Sequence, residues 1–404
     1  MATNTILTPT MITRAALAIL HQKLNFVGNI NRQYDEQFAK SGAKIGSTLN
    51  IRLPNQYRVR TGAALSTGAD LDTVETNTSL TVNKQAGVDV EFSSSELTMN
   101  LQDFSQRILE PAMAQLAAHI EADALTMYRD VNNVIDNDTA AISMLNVLQG
   151  RQRLNELLAP MDRRIALLQP FHTTKLVDAL KGLFHDSTAV KEQYREGSMG
   201  RTGGFEFYEN TLLTNHTTGT AAKTTGYVCN TSSGITSGTA AVTVSGGTTT
   251  FLVGDVITIA DVFRVHPESK ASTAELQQFV VTANSGTSAT SLALSPTPIT
   301  SGPRQNVTLV SAGASKAIVK VGAGANETMN SSMVFHPDAF TFATADLVMP
   351  GGVDFAAREV MDGISMRVVR QYNISTDQFP CRLDVLYGYR TIRPQLAARI
   401  HADG

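Results

Sequence analysis

Residues Pro111–Asn133 read PAMAQLAAHIEADALTMYRDVNN. Met113, Leu116, Ala117, Ile120, Ala124, Met127, Tyr128 and Val131 recur every three or four positions, which places them on one face of a helix. Gln115, Glu121, Asp123 and Arg129 fall on the opposite face. Pro111 suits the first turn, or marks a kink if helix already begins near Leu101. Run through to Asn133, the helix would span about 35 Å at 1.5 Å per residue. That length suits the strut of a domain.

Upstream of the strut the hydrophobic period drops to two. Ile51, Leu53, Tyr57 and Val59 interleave with Arg52, Arg58 and Arg60. Leu80 and Val82 lead into Val88, Val90 and Phe92, which alternate with Asp89 and Glu91. Two strands joined by a long Gly/Thr-rich excursion, Thr61 to Thr78, are expected. The charges are sorted. Arg52, Arg58 and Arg60 lie on the outgoing side, and Asp70, Asp72, Glu75, Asp89 and Glu91 on the excursion and return. Pairing inside one hairpin would be worth little at a surface. The other reading is a projecting loop that lays these charges against a neighbouring subunit, and the length of the excursion favours it. Further upstream, Thr8 and Pro9 open a helix striped by Ile12, Ala15, Ala16, Ile19, Leu20 and Leu24. A second short helix is expected from Tyr34 to Lys40. The pair is either docked on the domain or an arm that grips a partner.

Downstream, a helix is expected over Ala141–Leu158, a strand over Arg164–Leu168, a helix over Phe171–Phe184 and a strand over Phe205–Leu213. The composition then shifts. From Thr217 to Asn330, Thr, Ser and Gly supply 46 of 114 residues and only 11 are charged. Short apolar runs recur at Ala241–Val244, Val256–Ile259, Phe279–Thr282, Val307–Val310 and Ala317–Val321, separated by turn clusters. This pattern predicts a compact all-β module, inserted between mixed segments. The apolar run Phe251–Ile257 argues against a disordered tract. After it, Ile364, Met366, Val368 and Val369 suggest a strand, as do Leu383, Val385 and Leu386. Tyr387 and Tyr389 fall on one side of a strand, and Pro394 opens a last short helix or arm.

The chain has 404 residues, 42% of them hydrophobic, which suggests two or three domains. Charged residues make up 17%, against about 25% in typical domains. Lys and Arg total 33, Asp and Glu 36, for a net charge of -3. Without a basic excess, sequence-specific nucleic-acid reading is not expected. A sparsely charged surface repels other copies weakly, which points to extensive protein–protein contact. Cys229 and Cys381 exclude a disulfide framework and fit a reducing compartment. No apolar run approaches the ~18 residues of a membrane span, and Ala15–Leu20 is too short for a signal peptide. A soluble, cytosol-made protein is expected, with no membrane partner.

The motifs of catalysis are missing from the sequence. There is no phosphate-binding G-x-x-x-x-G-K-[ST]; Gly197–Gly204 is glycine-rich without that spacing. There is no G-x-S-x-G elbow. The eight histidines are scattered, with His119 on the strut and His172, His266 and His336 isolated. The expectation is a protein that is not an enzyme, with no cofactor and no metal.

Three segments carry a resemblance: ILTPTMITRAALAIL (6–20), KIGSTLNIRLPNQYRVRTG (44–62) and LYGYRTIRPQLAARI (386–400). Together they resemble tailed-bacteriophage major capsid proteins, and more narrowly the coat proteins of short-tailed phages with an inserted β-barrel domain. Residues 254–283, GDVITIADVFRVHPESKASTAELQQFVVTA, resemble part of that insertion. The resemblance implies an α+β fold divided as follows. Residues 1–45 form an N-terminal arm, 46–95 an extended loop hairpin, and 96–162 a peripheral domain with a spine helix. Residues 163–216 and 331–362 form an axial domain, 217–330 the inserted β-barrel, and 363–404 the return strands and C-terminal arm. It further implies self-assembly into hexamers and pentamers of an icosahedral shell around double-stranded DNA. Assembly in the host bacterial cytoplasm, with scaffolding and portal proteins as partners and the virion capsid as destination, is implied too. The extended-loop residues Arg52, Arg58, Arg60, Asp70, Asp72 and Glu75 would then touch a neighbouring subunit. An encapsulin-type nanocompartment shares the fold but packs protein. A Ser/Thr-rich β adhesin would need a secretion signal and exposed aromatics, and the chain has no Trp. A Lys–Asn crosslink between subunits, seen in some relatives, would call on Lys84 or another loop lysine.

Overall fold

The computed structural model describes residues 9–32, 47–57, 59, 62–63, 75–93, 110–137, 140–180, 200–230, 233–310, 315–361, 364–375 and 378–402. The expected helix at Tyr34–Lys40 lies outside them. The chain forms two units: residues 1–51, 78–126 and 340–392 make the first, and residues 52–77, 127–339 and 393–404 the second.

The first unit is built on a five-stranded antiparallel sheet. Its axis is the strand Gln378–Thr391. The first part of that strand runs between Lys84–Ser93 and Ile364–Arg370, and its last part pairs with Phe340–Ala345. Phe355–Met361 completes the order beside Ile364–Arg370. Helix α1 (Pro9–Lys23) packs on those last two strands, and α2 (Phe26–Asn29) and α3 (Glu110–Leu125) pack with it. Ala16, Leu17, Leu20 and Phe26, and Met113, Leu116, Ala117 and Ile120 of α3, are all buried where these helices pack. The period-two reading holds for Ser47–Arg52 and Asn77–Val82, which pair as a ribbon. Ile51, Leu80 and Val82 from this ribbon pack with Ala343, Ala345 and Leu386.

The expected strut is shorter than its stripe. The α-helix stops at Leu125, and Thr126–Asp130 continue as a tighter 3-10 segment. The hydroxyl of Thr126 donates to the Asp123 carbonyl at 2.6 Å, competing with the helical ladder where the geometry changes. Met127, Tyr128 and Val131 are still buried, so the stripe predicts burial correctly past the point where the helix ends. Glu121 departs from the expected polar face altogether. It is 1% exposed, and its carboxylate accepts the backbone N–H groups of Asn25 (3.0 Å), Phe26 and Val27 (3.3 Å). It thus satisfies the orphan donors at the start of α2.

Among the described residues, the second unit holds two large sheets and one small two-stranded one. The first has six strands in the order Val134–Asn137, Ala397–Ala402, Ser331–Phe335, Ile165–Leu168, Phe205–Glu209 and Arg201–Thr202. The pairs Val134–Asn137 with Ala397–Ala402 and Ile165–Leu168 with Phe205–Glu209 are parallel. Every residue of the three central strands is buried, as expected for strands covered on both faces. Helix α4 (Met144–Glu156) packs on this sheet through Gly150, where a Cβ would stand 2.8 Å from Val334 Cγ2. Helix α5 (Pro170–Leu180) follows Ile165–Leu168 directly. The C-terminal arm is in fact a strand: Pro394–Leu396 form one 3-10 turn, and Ala397–Ala402 enter the sheet.

The second sheet is antiparallel and has seven strands. Its order is Ala241–Thr243, Ser291–Ser295, Ser272–Val281, Val256–Val265, Ser315–Lys320 and Thr224–Asn230, with Val307–Leu309 also on Val256–Val265. The order returns on itself. Val228 and Ser245, just beyond Ala241–Thr243, exchange both backbone hydrogen bonds at 2.8 and 2.9 Å. Its buried core, from Ala221 and Tyr227 through Phe251, Ile257 and Phe279 to Ile318, comes wholly from residues 221–318. At its base, His216–Thr217 pair with Thr328–Met329, so the chain enters and leaves side by side.

Candidate assembly site

The expected loop contacts begin at Arg52. Its Nη1 lies 3.4 Å from the carboxylate of Glu75 in the same chain, with the two side chains 81% and 58% exposed. Such a pair contributes about 0–1 kcal/mol. The backbone N–H of Leu53 donates to Thr76 at 2.8 Å, which holds the two arms of the excursion together there. Arg58, Arg60, Asp70 and Asp72 lie outside the described residues. On the same outgoing arm Tyr57 is 69% and Val59 89% exposed. The alternation that placed them in a strand correctly buries Ile51 and fails for these two. Large apolar side chains left in water beside sorted charges suit a surface that another molecule covers.

The first unit holds a polar centre that joins strand, helix and strand. Lys84 Nζ donates to both oxygens of Asp123 at 2.8 Å and to the Tyr389 hydroxyl at 2.5 Å, and it sits 4.5 Å from the centroid of the Tyr389 ring. Tyr387 and Tyr389 donate their hydroxyls to Asp123 at 3.0 and 2.8 Å. Burial works against both charges. The hydrogen bonds among Lys84, Asp123 and Tyr389 outweigh it, so the Lys84 pKa is raised and the Asp123 pKa lowered. Burial, and then the Asp123 charge, hold Tyr387 protonated as a donor. Lys84 is therefore a bound ammonium and a poor nucleophile at neutral pH, at odds with a role as a crosslinking amine. The sequence places Tyr387 and Tyr389 on one side of a strand, but not the acid they share.

In the second unit, α4 and the seven-stranded sheet are joined by an ionic cluster. Arg264 Nη2 donates to Glu156 at 2.6 Å and to Glu275 at 2.9 Å, and Arg153 donates to Glu275 at 2.7 Å. Burial raises the Glu156 pKa, but the hydrogen bonds from Arg264 and Gln152 and the charges of Arg264 and Arg153 together more than reverse that. The side chain of Gln278 meets Val134 as a strand would, accepting its N–H at 2.8 Å and donating to its carbonyl at 2.9 Å. Arg153, Glu156, Glu275, Gln278 and Val134 line a cleft of about 360 Å³ with Asp136, Gln149 and Gln152. Arg264 and Glu275 are 11 positions apart, but more than a hundred residues separate the other partners, so no local pattern could announce the cluster.

Among the described residues, no three His, Cys, Asp or Glu side chains are grouped to hold a metal ion. No described helix is long and apolar enough to cross a membrane. Cys229 and Cys381 are free and buried, and burial pushes each thiol up to about 11.

The family match places this α+β chain in the class of tailed-bacteriophage major capsid proteins, the subunits of icosahedral shells. The chain belongs to the family described as "P22 coat protein - gene protein 5", whose model matches residues 1–399. No curated protein matches it. Solved structures that resemble it include one titled "Mycobacterium phage Che8", with 10% identity, 93% of this chain and 90% of that one covered, and a TM-score of 0.48. The capsid of Ralstonia phage GP4 is 8% identical over 95% of this chain and 92% of that one, with a TM-score of 0.48. A virus-like particle from Pyrococcus furiosus is 7% identical over 97% and 98%, with a TM-score of 0.41. Membership rests on the family match. The encapsulin and adhesin readings are not favoured.

Proposed function

We propose that this major capsid protein acts purely as structure, without catalysis, and that its shell encloses double-stranded DNA. In this reading it assembles in the host cytoplasm with a scaffolding protein and a portal. Residues 217–330 act as an inserted β-barrel: their sheet returns on itself, encloses its own core, and has adjacent ends. The remaining segments keep the divisions given above, except that residues 397–402 are a sheet strand and not an arm, with the extended loop at 46–95 and the axial parts at 163–216 and 331–362. The observation that carries the reading is the loop arm with Arg52 on it and Tyr57 and Val59 exposed. Arg52, Arg58, Arg60, Asp70, Asp72 and Glu75 contact a neighbouring subunit, and the Arg52–Glu75 pair inside one chain is weak enough to be exchanged for a partner's groups.

Reversing Arg52, Arg58 and Arg60 to Glu together tests this. The variant is expected to stay folded by circular dichroism but to give no closed shells in negative-stain microscopy when co-expressed with its scaffold. Normal shells would count against the loop contact. Nuclease-protected DNA in particles purified from infected cells is expected; particles filled with protein would overturn the genome-container reading.

A further inference from the structure

The second unit contains a buried knot of bases. His401 and Arg399 lie on Ala397–Ala402 and are almost fully sealed. His216, at the entry to the seven-stranded sheet, stacks on His401 with centroids 6.3 Å apart and planes 18° from parallel. His172 of α5 reaches the end of the same strand, with its Nε2 3.0 Å from the Ala402 carbonyl. Gly254, at φ +98°, makes room for the knot: a Cβ there would stand 2.9 Å from His216 Cε1.

The hydrogen bonds fix how many protons the site holds. His216 donates Nε2–H to Asp255 at 2.9 Å and accepts the Tyr128 hydroxyl on Nδ1 at 3.3 Å. Asp255 also accepts the backbone N–H groups of Gly219 (3.0 Å) and Leu252 (2.9 Å), so it has little capacity left. His172 donates to Ala402 and accepts the Ser332 hydroxyl on Nδ1 at 2.6 Å. Both rings are complete with one proton each. Neither nitrogen of His401 has a hydrogen-bond partner, and Arg399 donates only through Nη2, to Gly254 at 2.9 Å.

The ionisable groups acting on His401 are Arg399 from its own strand, His216 from the entry strand, His172 from α5 and Lys320 from Ser315–Lys320. All are basic. The acids around the knot are already engaged: Asp255 by His216 and two backbone N–H groups, and Glu327 near Lys320 at 3.8 Å. Asp130, on the 3-10 segment, acts on Arg399.

We propose that the stacked His401 and His216, with His172, form an acid-sensitive latch between the six-stranded sheet and the entry strand of the seven-stranded one. A proton on His401 creates a cation in a sealed site with basic neighbours and no acceptor. The site gains that proton only by opening, around residues 214–220 and 397–402. Burial, then the Arg399 charge, hold His401 well below its ordinary value of 6.5. Burial also lowers His216, against the pull of its bond to Asp255. Groups held below their ordinary value bind more protons when exposed. The latch is thus fully closed above about pH 6.5 and weakens as pH falls through it.

Hydrogen exchange of the purified full chain tests this, with rates corrected for intrinsic pH dependence. Between pH 7.5 and about pH 5, peptides covering 214–220 and 395–402 are expected to lose protection about tenfold or more, while 378–391 keeps it. Equal protection at the two pH values would overturn the latch. His401→Leu removes the proton site at similar volume and is expected to move the opening at least about one pH unit lower. His336→Gln, on a lowered histidine facing Asp162 and Asp338 outside the knot, is expected to move nothing. An opening unchanged in His401→Leu but shifted in His336→Gln would assign the effect elsewhere and sink the proposal. If His401→Leu does not fold, the wild-type exchange alone decides.

Discussion

At the scale of single residues, the least legible positions are polar groups whose partners are distant in sequence. Glu121 sits on what reads as a polar helix face, yet it serves three backbone donors 94 to 96 positions away. Glu121→Gln keeps the shape, removes the charge and turns an N–H₂ toward those donors. A loss of about 1–3 kcal/mol is expected, measured as a lower urea midpoint of the subunit. The Lys84–Asp123 pair makes a more selective prediction. Asp123 is held below its ordinary 3.8, so its contribution is present above that pH and is lost as pH falls through the lowered value. Lys84 is held above its ordinary 10.5, so its contribution is present below that pH and is lost as pH rises further. Lys84 is 43% exposed in its side chain, which limits the pair to about 1 kcal/mol. The stability difference between wild type and Lys84→Met is therefore expected at neutral pH and should shrink in acid and in strong base, by denaturation at each pH.

At the scale of elements, periodicity reported burial better than it reported backbone geometry. The stripe from Met113 to Val131 names buried residues throughout, although the α-helix closes at Leu125. Side-chain pattern records which face meets the core; it does not record the Thr126 hydroxyl that tightens the next turn. In the Thr/Ser/Gly-rich region the five apolar runs all fall on strands. Thr224–Asn230 and Ser291–Ser295 went unread because their polar faces carry Thr, Ser and Asn, the residues that also mark turns. The join between α4 and this region could not be read, since it consists of single charges. Arg264 is its pivot, and two of its nitrogens are already unpaired and buried. Arg264→Met removes a cation that two carboxylates share. It is expected to cost about 1–3 kcal/mol, discounted for the partial exposure of Glu156 and Glu275, and to raise hydrogen exchange in Ser272–Val281 and α4 together. Exchange rising in only one of the two would show that the cluster does not couple them.

At the scale of the whole molecule, the low charge noted in the sequence has a location. Residues 217–330 hold 11 of the chain's Lys, Arg, Asp and Glu residues, and several of these are spent inside the second unit instead of on its surface. Lys320 and Asp255 are buried, and Arg264 faces α4. The sequence made the α+β class and the family legible through three quoted segments. It could not show that the last strand, Ala397–Ala402, lies within the sheet beside Ser331–Phe335, because that pairing spans more than sixty residues and carries no local mark. The base of the seven-stranded region has a mechanical consequence. Thr217 and Thr328 are register partners, so covalently the region hangs from a stem two residues wide on each side. A stem alone would act as a hinge. The Gln278 clasp on Val134 and the Arg153–Glu275 pair fasten the region away from that stem, and the Arg399 bond to Gly254 adds a tie beside it. A pull on it is shared with the edge and the neighbouring strand of the six-stranded sheet. The region is thus braced as well as hung, and the knot of histidines lies beside its stem.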